Sequence, residues 1–592
     1  MVELERLEFS DDREWVTIHV AIEEGEPYRV EAIELQALRR VRDERAPGGF
    51  REEPAELLLD EGELRAALKL RVGEVFQQRH VDEDHRALRK LYGSRGHIEH
   101  PTLPAGEGFR FEEPELFFDE HEPKVRVVYR LVQGEPIRIR EVRIRGNLHT
   151  QDAVLRRLIT VEPGQLADPE AIERSRSRIE ATDFFTPDPF RQDILPPQVH
   201  YLDTGDPAVK DLEFVVEESG VLNFNLSGGV STSNGLFGSI QLRKGNFDVT
   251  NLPSSLGSTF GEIGRLEAFH GAGQNLSLFA SPGTQVSRYG VSFFEPDIFA
   301  LQKNYVGLGL NVVNSRRRFE SHREHRRDYS VRLQRQLSPD SSASLSYGYG
   351  SVDVTDLATG GEPGLTTPLG VPTDLKAQEG LSQLGHLDLG YHYTTVDSGI
   401  APRNGLSLNL RASLYDDWLG SEFDFARASA ELDFYDEFDE DPDIVSDFVH
   451  LGVSLSLGAA YGGTDEIPYT ERTFFGGRDL RGFDFRGVGP HENGFPIGGT
   501  SALLATLEYR RPLVKNIQPG SYREIESLQG GLFIDVGVLD PDEFSLDPNE
   551  VRASVGFLFG IQVPWPLTFS FGFPIREGDG DDKQVFEFEF GF

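Results

Sequence analysis

The sequence predicts small α+β modules with the element order β-α-α-β-β, followed by an all-β membrane barrel of about sixteen antiparallel strands. Three observations support this prediction. The N-terminal third contains an internal repeat of strand-like and helix-like segments. After Gly220, helical periodicity disappears and runs of strict apolar/polar alternation recur, separated by Gly, Asn, Asp and Ser. No stretch is apolar for long enough to form a helical membrane span.

The repeat aligns residues 22–30 with residues 131–139, and both segments carry Gly-Glu-Pro between two strand-like runs. We therefore predict complete modules at 27–133 and 134–219, and the barrel at 220–592. Residues 1–26 are expected to hold only the closing strand of a truncated earlier module. The start lacks a basic segment followed by an apolar one, so if the protein is exported we expect a mature or truncated form.

The second module shows its elements most clearly. A strand is predicted over 137–145 and a first helix over 150–159. Asp168-Pro169 is a favourable start for a second helix ending near Ala181, because Asp caps helices and Pro suits their first turn. Phe184-Phe185 is predicted to begin a short strand, and 212–216 to form the last one.

The first module is expected to repeat this order with longer connections. Helices are predicted near 61–70 and 81–92, and a strand over 125–132.

Alternation alone also fits a soluble β-sandwich. A membrane barrel is favoured because the runs have about nine to eleven residues, as tilted membrane strands require. Their apolar positions are rich in Phe and Tyr, for example 567–573 and 586–592. The roughly 370 residues after Gly220, at roughly 23 per strand and loop, predict about sixteen strands.

Composition excludes several classes of function. The net charge is −39, which argues against nucleic acid as a partner, since phosphate binding needs clustered positive charge. The chain has no cysteine, hence no disulfide, thiolate metal site or cysteine nucleophile. We find no signature of a catalytic serine, a P-loop or a zinc protease. The prediction is a non-enzyme without cofactor or metal.

Two polar segments are interpreted as solvated loops. His322-Arg323-Glu324-His325 lies among arginines that disfavour a bound cation, so we expect an exposed hairpin turn. The acidic runs 436–447 and 579–582 lack the spacing of a dedicated calcium cage and are also expected to be exposed loops.

Arg481, in the connection around 474–489, lies among predicted membrane strands. The alternation in Leu507-Glu508-Tyr509 and in the run 532–536 turns Glu508 and Asp535 into the lumen. Two inward carboxylates on neighbouring strands suit one guanidinium. We therefore hypothesise that this connection docks in the lumen through Arg481. The alternative is a surface loop whose arginine is solvated.

The motif Phe474-Phe475-Gly476-Gly477, followed by Arg481-Gly482-Phe483, resembles the R-G-F loop of bacterial outer-membrane barrel-assembly proteins of the BamA type. The aromatic tail ending at Phe592 resembles the terminal strand of that family. Residues 144–147 and the helices after them are similar to its membrane-proximal POTRA module.

This resemblance implies POTRA modules in the periplasm and a barrel in the outer membrane that inserts nascent outer-membrane β-barrel proteins. Insertion would use a lateral seam between first and last strands. The lumenal motif would be Arg481, Gly482 and Phe483, docked on Glu508 and Asp535. The implied partners are client barrels and outer-membrane lipid. Periplasmic chaperones and accessory lipoproteins are implied as further partners. The seam residues would be Leu222, Phe224, Leu226, Phe586, Phe588, Phe590 and Phe592.

Two alternatives remain open within this resemblance. One is a polypeptide export channel of the two-partner secretion type, and the other is a TamA-like assembly factor.

Overall fold

The computed structural model has two compact units, residues 1–220 and 221–592. The structure describes residues 2–9, 16–22, 26–43, 45, 49–100, 103, 108–182, 184–185, 195–219, 222–301, 304–358, 370–399, 401–439, 444–464, 466–517, 524–561 and 567–591. None of the described helices is both long and apolar enough to cross a membrane.

The first unit begins with an antiparallel hairpin of β1 (Val2–Phe9) and β2 (Val16–Ile22). The prediction of a single closing strand in residues 1–26 is wrong, because two strands form there. Apolar residues recur through both segments, and each forms a strand of its own.

The first complete module is a mixed sheet covered by two helices. Its elements are β3 (Arg29–Arg42), β4 (Phe50–Pro54), α1 (Glu61–Ala67), α2 (Gln78–Gly93), β5 (Arg110–Phe111), β6 (Glu115–Phe118) and β7 (Lys124–Gln133). Strands β3 and β7 pair in parallel at the centre of the sheet. Leu64, Leu88 and Tyr92 from the helices pack on Val127 and Tyr129 of β7, and burying each such side chain stabilises the module by about 1.5–3 kcal/mol. Both predicted helices are present, whereas the short strands β4, β5 and β6 were not predicted.

The second module has the order β-α-α-β-β. It consists of β8 (Arg138–Arg145), α3 (Asp152–Arg156), α4 (Pro169–Glu180), β9 (Gln198–Asp203) and β10 (Val209–Val215). Strand β10 lies between β8, which is parallel to it, and β9, which is antiparallel. The Asp168 side chain accepts a hydrogen bond from the Glu170 amide and caps α4, as its sequence predicts.

The strand predicted to begin at Phe184-Phe185 is wrong. Both rings are buried, so the two residues do not alternate between a core face and a solvent face as a strand at the edge of a sheet would. They fill the core after α4 instead. The strand is β9, in which buried Val199 and Tyr201 alternate with more exposed neighbours.

The second unit is a closed barrel of sixteen antiparallel strands, which confirms the predicted fold class and strand number. Its strands are β11 (Leu222–Ser231), β12 (Gly235–Phe247), β13 (Gln274–Ser281), β14 (Val286–Glu295), β15 (Val306–Arg318), β16 (Arg323–Ser338), β17 (Ser341–Thr355), β18 (Gly380–Thr394), β19 (Gly405–Tyr415), β20 (Phe425–Glu437), β21 (Phe448–Ala460), β25 (Ser501–Ile517), β26 (Glu524–Asp540), β27 (Val551–Ile561), β28 (Leu567–Arg576) and β30 (Phe586–Gly591).

Short elements lie in the connections between these strands. They are the helices α5 (Thr259–Gly264) and α6 (Thr373–Ala377) and the two-residue strands β22 (Gly482–Phe483), β23 (His491–Glu492), β24 (Phe495–Pro496) and β29 (Lys583–Gln584). The two helices were not predicted from the sequence. Each has only five or six residues, too few for helical periodicity to appear in the sequence.

Alternation assigns the two faces of the barrel wall. On β26, Leu532 and Ile534 are exposed on the outer face, whereas Phe533 and Asp535 are buried on the lumenal face. An apolar outer face and a polar inner face are typical of transmembrane barrels.

Candidate functional site: lumenal loop and strand seam

The connection between β21 and β25, residues 461–500, folds into the barrel and is here named the lumenal loop. Phe475 and Phe483 from this loop form a buried cluster with Leu539 of β26. Leu539 is four residues from Asp535, so it lies on the same lumenal face of the strand. The loop therefore packs on the inside of the barrel wall.

Two glycines allow the sharp turns of this loop. Gly476 has a φ of +121°, and a Cβ atom there would overlap the carbonyl oxygen of Asp484. Gly482 has a φ of +97°, and a Cβ atom would lie 3.0 Å from the backbone of Gly572 on β28. Glycine is the residue that adopts both conformations without steric cost.

Arg481 is buried between the two carboxylates named from the sequence. Its Nε donates to Asp535 Oδ2 at 2.8 Å and its Nη2 to Asp535 Oδ1 at 2.6 Å, which is a bidentate pair. Its Nη1 donates to Glu508 Oε1, and its backbone N–H also reaches Asp535. The guanidinium carbon lies 3.5 Å from the centre of the Phe533 ring. The cation is thus held by two carboxylates at its edges and by one aromatic ring on a face.

The charges around Arg481 are balanced. Burial disfavours the charge of Arg481, but the hydrogen bonds and charges of Asp535 and Glu508 outweigh it and raise the Arg481 pKa above its ordinary value. Glu508 also accepts from Arg510 at 2.7 Å, so two carboxylates face two guanidinium groups. A buried cluster of this kind holds one geometry, because removing one partner leaves an uncompensated charge.

Gly482 and Phe483, the other two residues of the R-G-F motif, bind the last hairpin of the barrel. This contact was not predicted from the sequence. Gly482 and Phe483 pair as β22 with Gln584 and Lys583 of β29, immediately before β30. The Asp484 amide also donates to the carbonyl of Asp582 at 2.9 Å. Motifs of two residues carry no alternation signal, so the sequence alone does not indicate this pairing.

Asp581 overturns part of the expectation for the acidic run 579–582. Its side chain is fully buried and accepts from Arg552 Nε at 2.7 Å. It also accepts from the amide of Gly489 in the lumenal loop at 3.2 Å. This aspartate is therefore a structural contact between the last hairpin and the loop, whereas Asp579 and Asp582 are exposed as expected.

The first and last strands of the barrel join only briefly. Strand β11 pairs with β12 along its whole length, from Leu222 to Ser231. In the described part of the chain, it pairs with β30 only at Gly229, Val230 and Ser231. The edge of β11 that faces β30 therefore has no partner strand over 222–228 within the described residues. The junction of β11 and β30 is here named the seam.

The structure does not bring the predicted seam residues face to face. Leu222, Phe224 and Leu226 lie exposed at the start of β11, beyond the paired part of the seam. Phe586 and Phe588 are opposite Phe571 and Phe569 of β28. Phe590 is opposite Val230 across the seam, and the Phe588 carbonyl accepts from the Thr232 amide at 3.3 Å. Phe592 lies outside the described residues.

The lumenal loop reaches the paired part of the seam. Arg478 Nη1 lies 2.9 Å from Glu589 Oε2, and Glu589 is opposite Ser231. A lumenal cavity of about 530 Å³ opens here, lined by Ser231, Arg478 and buried Glu587 among others. Sequence reasoning did not single out Arg478 or Glu589.

The opposite end of the loop corrects the expectation for residues 322–325. His322 and Glu324 are buried, not solvated, and His322 Nε2 lies 3.0 Å from Glu324 Oε1. Arg326 joins Glu324 to Glu471 of the lumenal loop, at 2.7 Å to Glu471 Oε1. Arg326 is thus paired with one strand carboxylate and one loop carboxylate, which a sequence pattern does not reveal.

Arg486 contributes a second contact on this side. Its guanidinium carbon lies 4.0 Å from the ring centres of both Phe319 and Phe474. Burial between these rings lowers the pKa of Arg486 to about 10. The loop therefore spans the lumen from the last hairpin to the turn between β15 and β16.

Among the described residues, three carboxylates with a spacing that suits a metal ion are Asp416, Asp417 and Asp424, whose oxygens lie within 4.8 Å of one another. Asp416 already accepts from the Tyr461 hydroxyl at 2.8 Å. This acidic group lies at the end of β19 and makes no contact with Arg481 or the seam.

The barrel, the modules and the lumenal R-G-F loop define a class of protein. Residues 269–592 match the Omp85 superfamily domain, and residues 137–219 match the POTRA family described as a surface antigen variable number repeat. Since the first match covers more than half of the chain, the protein belongs to the Omp85 superfamily.

Individual relatives are assembly factors. The chain is 23% identical over 540 residues to outer membrane protein assembly factor BamA of Neorickettsia risticii, covering 89% of this chain and 63% of the relative. It is 23% identical over 481 residues to the same factor of Nitratidesulfovibrio vulgaris, covering 79% and 52%. The chain thus spans between about half and two thirds of the length of these curated relatives.

A solved structure has the same fold. The crystal structure of BamA from Haemophilus ducreyi lacking POTRA domains 1–3 superimposes with a TM-score of 0.60 and 19% identity, covering 95% of this chain and 99% of that one. These comparisons confirm the resemblance to BamA-type proteins. They also confirm a location in the bacterial outer membrane, with the POTRA region in the periplasm.

Proposed function

We propose that the protein folds and inserts β-barrel proteins into the outer membrane by pairing their strands with the edge of β11 at the seam. The short seam is the observation that carries this proposal, since β11 pairs with β30 at only three described residues. Its relatives' printed name, outer membrane protein assembly factor, supports the same activity.

The physical basis is the cost of an unpaired strand edge in a membrane. Hydrocarbon offers no hydrogen-bond partner, so each unsatisfied backbone group there costs several kcal/mol. An extended client strand supplies the missing donors and acceptors by β-augmentation. Because the seam has only three described residue pairs, few hydrogen bonds change partners when a client strand replaces β30, and the bonds to the client offset those that are lost.

The lumenal loop is proposed to hold the last hairpin while the seam exchanges partners. Arg481 fixes the loop to β25 and β26, and the β22–β29 pairing fixes the hairpin to the loop. The end of β11 has no comparable described attachment at 222–228 beyond its pairing with β12. No covalent step is involved in this activity.

The proposed partners are nascent outer-membrane barrels and outer-membrane lipid. Strands β8 and β9 are the edges of the second module's sheet, and such edges accept extended segments. Periplasmic chaperones and accessory lipoproteins are proposed to deliver clients to this region.

A disulfide across the seam tests the proposal. Ser231→Cys with Glu589→Cys places two thiols on directly opposite residues, and the chain has no other cysteine. In reconstituted vesicles, the oxidised variant should fail to insert a model client barrel, and reduction should restore insertion. Ser277→Cys with Ser292→Cys, opposite each other on β13 and β14, is the matched control and should have no effect when oxidised.

Equal insertion by the oxidised and reduced seam variants would reject the proposal. Single-channel recording on the same vesicles distinguishes client insertion from the export-channel alternative. A large steady conductance without insertion of the client would support polypeptide export.

A further inference from the structure

The long connection between β12 and β13, residues 248–273, folds against the outer face of the barrel. Lys244 lies on the same face of β12 as Leu242 and exposed Ile240. This is the face on which Leu276 and Phe293 of the next two strands are also found. Lys244 therefore points away from the lumen, at the end of the barrel where β11 begins.

Three contacts hold the connection on this outer face. Lys244 Nζ lies 3.1 Å from Nδ1 of His270, and both residues are buried. Phe269 stacks on Phe247 with ring centres 5.5 Å apart, and Phe247 meets Phe293 edge-on. The Val249 amide donates to Gln274 Oε1 at 2.9 Å. Residues at both ends of the connection are thus attached to the outer wall of β12, β13 and β14.

The middle of the connection presents large apolar side chains outward. Leu252, Leu256 and Phe260 are 68%, 95% and 88% exposed. Polar groups of the same segment are bound to one another: the Ser254 amide donates to Glu262 at 2.8 Å, and the Thr259 hydroxyl donates to the carbonyl of Ser255 at 3.0 Å. The segment therefore has a fixed shape with its apolar side chains unpartnered.

We propose that this segment, named the apolar loop (residues 249–268), inserts Leu252, Leu256 and Phe260 into the periplasmic leaflet of the outer membrane. Two observations select lipid as the occupant. The loop is attached to the lipid-facing surface of the barrel, so its apolar residues continue that surface. It also lies at the end of the barrel where the chain enters from the periplasmic POTRA region, which is the level of the membrane interface. Short segments with an apolar side and a polar side bind at that depth.

The proposal assigns lipid contact to a segment outside the transmembrane strands. This lipid contact would anchor β12, the strand that pairs with the whole of β11. The proposed contact is independent of the insertion activity and would apply to any outer-membrane barrel with this loop.

Fluorescence of a single labelled residue tests it, because the chain contains no cysteine. Leu256→Cys is labelled with an environment-sensitive dye and the protein is reconstituted into vesicles, with or without lipids brominated on the acyl chain. The proposal expects a blue-shifted emission that loses most of its intensity in brominated vesicles. The matched control is Leu148→Cys, a leucine that is 87% exposed in the first unit and is expected to be in water.

The outcomes discriminate between the possible occupants. An unshifted emission at position 256, equal to that at 148, would place the loop in water and overturn the proposal. A blue-shifted emission that brominated lipid leaves unchanged would place the loop against protein, and would overturn it as well. Phe260→Cys provides an independent second site, and retention of the compact barrel band on unheated gels verifies that each variant is folded.

Discussion

At the scale of single residues, Arg481 is the most constrained side chain of the site. It contacts Asp535, Glu508 and the Phe533 ring at once. Such a cluster contributes less to the free energy of folding than its number of contacts suggests. Removing the charges of Arg481, Asp535 and Glu508 from water carries a desolvation cost that offsets their attraction. Its effect is to fix one position of the lumenal loop.

We predict that Arg481→Ala releases the lumenal loop, because Asp535 and Glu508 remain buried without their cation. The expected loss is about 3–5 kcal/mol of loop docking free energy. Limited proteolysis of the folded barrel should then cut between residues 477 and 489. Arg478→Ala is the control: Arg478 is largely exposed and its pair with Glu589 is worth at most about 1 kcal/mol. Unchanged protease resistance in Arg481→Ala would contradict the docking role.

His97 gives the first complete module a dependence on pH. It is buried beside the junction of the two modules, with Nδ1 3.1 Å from the carbonyl oxygen of Gly134. Burial lowers the pKa of His97 below its ordinary value of 6.5. The unfolded state therefore binds the proton more tightly, so the module should be fully stable above pH 6.5 and lose stability as the pH falls below it.

The measurement is hydrogen exchange of α2 and β7 amides in the full chain between pH 7.5 and about 5, corrected for intrinsic exchange rates. His97→Gln keeps a donor for Gly134 and should reduce the loss of protection on acidification. Identical pH profiles for the two proteins would show that His97 does not contribute.

At the scale of elements, the short pairing of β22 with β29 joins the lumenal loop to the last hairpin. We predict that Gly482→Ala destabilises the pairing of β22 with β29 by more than about 1 kcal/mol. The reason is that residue 482 has a positive φ and lies against Gly572. Protease access to the loop should rise and client insertion should fall. Gly463→Ala, in the same loop but with open space around it, should behave as the wild type.

The sequence predicts the strands and their faces better than their junctions. Alternation places Glu508 and Asp535 in the lumen because each strand has one lipid face and one polar face. Alternation cannot predict the register of β30 on β11, because that register depends on how the barrel closes. In the structure, this register places Phe586 and Phe588 away from Leu222. Alternation also cannot identify buried Asp581 or His322, since Asp581 accepts from the Gly489 amide and the His322 ring packs on Tyr469, both of which are distant in sequence.

At the scale of the whole molecule, the barrel is closed and yet has one weak junction. In an antiparallel strand, successive amides point alternately to the two neighbours. Over 222–228, the amides of β11 that point towards β30 have no described partner strand. We predict that about half of the amides in this segment exchange rapidly in vesicles, whereas those of β19 and β20, paired along their lengths, stay protected. Full protection of 222–228 would show that another segment covers this edge.

The lumenal loop is bound to one part of the barrel wall more than to the rest. In the described structure, its hydrogen bonds and ion pairs to the strands fall on β16 and on strands that follow it, such as Arg326 with Glu471 and Asp535 with Arg481. Towards β15 it makes only ring contacts, with Arg317 and Phe319. The arc from β16 to β30 is cross-braced from within, whereas β11 to β14 are held by their neighbouring strands and, on the outer face, by the connection 248–273. If the barrel admits a guest strand as proposed, we expect the arc from β11 to β14 to move outward, with the turn between β15 and β16 as its hinge.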